Sequence, residues 1–154
     1  MARYGINTEH AYGVSIPNLR KIARMIGKNR SLAAALWSSG IHEVRILAGM
    51  VYPPLEITGR QMEEWVRDFN SWDLCDQSCN NLFRKTMHAH EKAMEWSSRD
   101  EEFVKRAGFV LMACLAVHDK SAADAEFMEF LPVIKRESGD SRSFVKKAVN
   151  WALR

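Results

Sequence analysis

Apolar residues recur at intervals of three and four along nearly the whole chain, and no stretch alternates in the two-residue rhythm of a half-buried strand. Such a chain folds as packed helices, and the expected class is all-α. The clearest segment follows Asp100, an expected cap, where Phe103, Ala107, Val110, Leu111, Cys114 and Leu115 share one face. Pro17 suits a first helical position and Gly27 a stop, framing a helix with an apolar stripe of Leu19, Ile22, Ala23 and Ile26. A short helix is expected from Ser31 to Trp37, and another from Ile41 to Val51, ended by Pro53-Pro54. Thr58 and Gln61 have the spacing of a capping box, and Ser71 can cap a helix with Asp73 in its first turn. A helix around Glu91 to Trp96, one from Asp124 to Arg136 bent at Pro132, and one from Ser141 to Arg154 complete the expectation.

These helices echo one another. Phe103-Val104-Lys105-Arg106-Ala107 returns 41 residues later as Phe144-Val145-Lys146-Lys147-Ala148, and Glu43-Val44-Arg45 is a weaker copy 60 residues before the first of them. A period near 41 fits HEAT-like helical pairs stacked as an α-solenoid, whose second helices would carry a positive stripe on a concave face. With 154 residues the chain is expected to form one domain over 1–154.

Composition narrows the classes. Hydrophobic residues make up 47% and charged residues 27%, which disfavours disorder. No apolar run reaches the ~20 residues of a membrane span and the amino terminus lacks a signal-peptide core, so no membrane partner and a cytoplasmic location are expected. Cys75, Cys79 and Cys114 lack CxxC spacing and read as free thiols. The net charge of +3 is modest, but its distribution is uneven. Arg20, Lys21, Arg24, Lys28 and Arg30 crowd the stretch from Pro17 to Arg30, and Lys135 to Arg154 is basic again. Either run is also what a solvated helix face looks like.

The block Ser71-Trp72-Asp73-Leu74-Cys75-Asp76 holds the most unusual chemistry. Trp72 and Asp76 stand one turn apart on one helix face, where an indole and a carboxylate can both meet a cation. Asp73 and Asp76 could instead share a proton for acid or base work. The plainer alternative has Trp72 in the core, Asp73 supporting the helix start and Asp76 paired with a neighbouring helix. Arg106 either grips a phosphate from a groove or forms a salt bridge. Trp151 is a stacking surface or core packing. Cys75, Cys79, His88 and His90 are too dispersed for a zinc site, and no metal is expected. Phosphate-loop, HExxH and GxSxG signatures do not occur in the sequence.

Four blocks carry a resemblance: Tyr12 to Ile22, Ser71 to Asp76, Phe103 to Phe109, and Phe144 to Arg154. In this order they resemble the DNA alkylation repair enzyme family, the AlkD-like DNA glycosylases of HEAT-like repeats. The resemblance implies excision of cationic N3- and N7-alkylpurines from duplex DNA containing alkylated bases, without metal or nucleotide cofactor. It implies Asp76, Trp72 and Trp151 as catalytic residues, with Asp76 stabilising an oxocarbenium-like sugar and the two indoles contacting the backbone around the lesion. Arg106 would hold a flanking phosphate, and Lys105, Lys146 and Lys147 would add sequence-independent affinity. Members that keep the fold without excising bases make a non-catalytic module for damaged, bent or branched DNA the alternative. Relatives continue past the equivalent of Trp151-Ala152-Leu153-Arg154, so this chain is expected to lack the family's last helices and to self-associate through an exposed final helix.

Overall fold

The computed structural model describes residue 6 and residues 9–154. Among the described residues there is no strand, and the helices are α1 (Ile16–Ile26), α2 (Arg30–Ser38), α3 (His42–Val51), α4 (Gly59–Arg67), α5 (Trp72–Asn81), α6 (Ala89–Ser97), α7 (Glu102–His118), α8 (Asp124–Met128), α9 (Phe130–Glu137) and α10 (Ser143–Leu153). A 3-10 turn, Phe83–Lys85, follows α5. None of the described helices is long and apolar enough to cross a membrane.

Local chemistry sets most boundaries. Pro17 lies in the first turn of α1, where a missing N–H costs nothing, and Gly27 ends the helix at φ 75°. Thr58 accepts a hydrogen bond from the Gln61 amide at 3.2 Å, but the Gln61 side chain accepts from the Tyr52 hydroxyl at 2.6 Å, so the capping box is only half formed. Asn29, not Ser31, caps α2 by accepting from the Leu32 amide at 2.9 Å. The N-cap of α7 is Glu101 rather than Asp100, and that of α10 is Arg142, just after Ser141. Pro132 bends nothing: it lies in the first turn of α9, after the break that separates α8 from α9 at Glu129. The stripe on α1 buries only Leu19, while Ile22 and Ile26 stay exposed, because this helix packs chiefly against α3.

Two layers result. The second helices α3, α5, α7 and α10 pack in succession, with α1 against α3. The first helices α2, α4, α6 and α9 are tied by rings and polar groups. Trp37 of α2 stacks on Trp65 of α4 at 4.0 Å, the Trp96 indole of α6 donates to Glu63 of α4 at 2.8 Å, and His90 of α6 stacks on Phe130 at the start of α9 at 5.0 Å. The core runs between the layers and is continuous from Leu19 to Val149. It encloses the three cysteines as free thiols. Helices α6 and α7 approach tightly at Gly108, where a Cβ would stand 2.4 Å from the Ser97 backbone nitrogen.

Candidate functional site

The second helices α3, α5 and α7 present polar side chains in their opening turns, and these reach neighbouring elements. His42 of α3 and Asp73 of α5 meet at 2.8 Å. Burial alone would raise the Asp73 carboxyl, but the His42 contact together with the Ser71 hydroxyl and the Leu74 amide holds the group below the usual carboxylate range. Before α1, the backbone amides of Tyr12 and Gly13 donate to the buried Glu43 carboxylate at 2.9 and 2.6 Å. That contact fixes the approach of the chain to α1.

The next tie involves Asp76 and Arg106. Nε of Arg106 donates to one oxygen of Asp76 at 2.9 Å and Nη2 to the other at 2.8 Å, a two-pronged pair between α5 and α7. Nη1 donates to the Phe144 carbonyl at 2.6 Å, so one guanidinium links α5, α7 and α10. The side chain of Arg106 is 7% exposed and that of Asp76 is 19% exposed, which puts the arginine beneath and the carboxylate nearer solvent. Burial raises Asp76 above the usual carboxylate range, and the guanidinium pulls it back part of the way.

This geometry changes two expected roles. Arg106 has all three nitrogens bonded within the chain and is buried, so it is not presented to a phosphate. Lys105 is buried too. Its ammonium lies 2.8 Å from Glu137 and 3.7 Å from Asp140, a contact with the segment before α10 and not with a DNA-facing stripe. An apolar helix tolerates two buried cations only because each is matched by carboxylates.

The remaining expected residues separate into two places. Trp72 opens α5 half-buried, one turn before Asp76. Trp151 is 42% exposed and lines a cavity of about 100 Å³ with Asn80 of α5 and Ala113, Val117 and His118 of α7. Asn80 is one turn beyond Asp76, so Asp76, Asn80 and Trp151 belong to one side of the second-helix layer. Lys146 and Lys147 are exposed at the other flank of α10, where they border a groove of about 740 Å³ floored by Leu131 and Ile134 of α9 and Val149 and Leu153 of α10. Asn80 and His42 escaped sequence reasoning. The first had the spacing to Asp76 as a signal, and the second had none.

The profile of the DNA alkylation repair enzyme family matches residues 1–154. This chain belongs to that family. A solved structure from a family related to the HEAT-like repeat DNA glycosylases, with affinity for branched DNA structures, is similar to it with a TM-score of 0.86 at 21% identity. The match covers 99% of this chain and 65% of the other, so this chain spans less than two thirds of that protein's length. At this identity the likeness establishes the HEAT-like fold and nothing finer. No curated protein matches the chain in sequence.

Proposed function

We propose that this chain binds duplex DNA containing alkylated bases and excises cationic N3- or N7-alkylated purines. The observation that carries this reading is the Asp76 carboxylate, held from beneath by the Arg106 fork with its outer edge toward solvent, on the side of the layer that carries Trp151. A carboxylate accepts about four hydrogen bonds, and Arg106 takes two. The outer lone pairs stay available to a sugar that becomes cationic as the glycosidic bond breaks, and to the water that attacks it. A fixed anion aimed at developing positive charge stabilises the transition state more than the ground state, and an alkylated purine is already a good leaving group. Arg106 acts here as a positioning residue. Trp72 and Trp151 supply faces for the sugars around the lesion, and Lys146 and Lys147 supply charge at the α10 flank.

One observation favours a second reading, in which the chain binds branched or damaged DNA without excision. Arg106 matches the Asp76 charge one for one, which weakens its field at a distance. A single assay separates the two. Incubation with methylated DNA is expected to release free 7-methylguanine, and Asp76→Asn is expected to abolish release while DNA binding persists. Salt-sensitive binding with no release selects the second reading.

A further inference from the structure

Three depressions lie along the ends of the second helices, two of them sharing Cys114 and His118 and the third bordered by Asn81 and Lys85, the chain neighbours of Asn80 and Arg84 in the other two. Arg20 and Arg24, one turn apart on α1, line a cavity of about 330 Å³ with Met50 at the end of α3, Asn81 at the end of α5 and Lys85 of the 3-10 turn. The adjacent Arg84 lines a second, of about 200 Å³, with Cys114, His118 and Asp119. Cys114 and His118 also line the small cavity that holds Asn80 and Trp151. The line of depressions runs from α1 to Asn80, one turn beyond Asp76, and Trp151.

Its charge is one-sided. Arg20, Arg24, Lys85 and His118 are exposed. The acid bordering it, Asp119, accepts hydrogen bonds from the Ser121 amide and hydroxyl and the Ala122 amide, which commits one of its oxygens to its own turn. Arg84 gives Nε to the Asn80 carbonyl and side chain, at 2.7 and 3.0 Å. The positive charges crowd one another: desolvation with Arg84 and Lys28 lowers the Lys85 pKa, and desolvation with Arg84, Lys120 and Lys85 lowers that of His118 and favours its neutral ring. Like charges gathered this way cost stability in the free protein, a cost that a polyanion relieves.

We infer that this course is the track for the phosphodiester backbone of bound DNA, with Arg20, Arg24, Arg84 and Lys85 making the charged phosphate contacts and His118 offering a ring N–H. The inference rests on the DNA-binding part of the proposed function and places that binding on α1 and the 3-10 turn, whose cations the family resemblance gives no role. Its consequence is a measurable salt slope. Each phosphate contact steepens the fall of log K with log salt by about 0.9.

The test is a salt titration of binding to a duplex of mixed sequence by the full chain, by Arg20→Gln/Arg24→Gln/Lys85→Gln, and by Arg60→Gln/Arg67→Gln/Arg136→Gln, which removes equal charge from the first-helix layer. All six positions are exposed, and matching circular dichroism and thermal midpoints verify that the variants fold. The track variant is expected to bind at least tenfold more weakly at about 0.1 M salt, with a slope shallower by about 0.9 for each phosphate it no longer neutralises, and the control to change less than twofold. An unchanged slope in the track variant, or an equal loss in the control, overturns the track and leaves DNA binding standing. Wild-type chain that shows no salt-sensitive binding overturns both the track and the function on which it rests.

Discussion

At the scale of single residues, Asp76 and Arg106 decide how the site is to be understood. If Asp76 acts electrostatically, Asp76→Ala lowers the single-turnover excision rate far more than DNA affinity, whereas equal losses point to a purely structural carboxylate. The acid limb of that rate should fall above the ordinary carboxylate value of about 3.9, because burial raises the Asp76 pKa and activity fades as pH drops through it. Arg106→Gln removes the cation that offsets burial, so the limb should move to still higher pH, and chemical denaturation should show a loss of about 3 kcal/mol from the unpaired buried carboxylate. Asp140 shows the opposite sign. The Arg142 hydrogen bond depresses it to about 2, so its stabilising effect is complete above the unfolded value near 3.9 and disappears as pH falls toward 2. The difference in urea midpoint between wild type and Asp140→Asn should accordingly close over that interval. Trp72, Asp76 and Arg106 were all visible as unusual residues in the sequence. Which of the open alternatives Asp76 takes was not, because its partner lies 30 residues away on another helix and spacing along one helix is silent about the next.

At the scale of helices, the periodicity identifies segments better than their ends. The stop at Gly27 and the Thr58 cap follow from short-range rules, whereas Glu101 and Arg142 occupy cap positions without any side-chain cap bond. Their place is set by how α7 and α10 seat on their neighbours. Gly108 marks one tight seat. A methyl group there would meet the backbone of α6 at Ser97 and Ala93, so Gly108→Ala should destabilise the protein by about 1–3 kcal/mol in a urea titration. Gly49→Ala makes the contrasting case. Its Cβ would meet Ser78 at 3.8 Å in ordinary contact, and helix propensity should make it stabilising by up to about 1 kcal/mol. Reduced stability in both variants would show that something other than the α6–α7 approach governs these positions.

At the scale of the whole molecule, the repeat has a different period from the one expected. The second helices α3, α5 and α7 begin at 42, 72 and 102, intervals of 30 residues, and only the step to α10 is 41, because the segment carrying α8 is inserted before α9. The weak echo 60 residues before Phe103 is thus two true repeats away, with α5 between them carrying a sequence too divergent to show. The equivalent residues Lys105 and Lys146 also part company: one is buried against Glu137 and Asp140, and the other is exposed at the edge of the described stack. The sequence by itself determined that this protein is all-helical, where most helices lie, and which family it resembles, since those depend on apolar spacing, local caps and motifs carried within single segments. Only the tertiary structure decided which cations face solvent and which are neutralised, and that Arg106 supports Asp76 from beneath, because a charge buried between helices is set by the groups that neighbouring repeats bring against it.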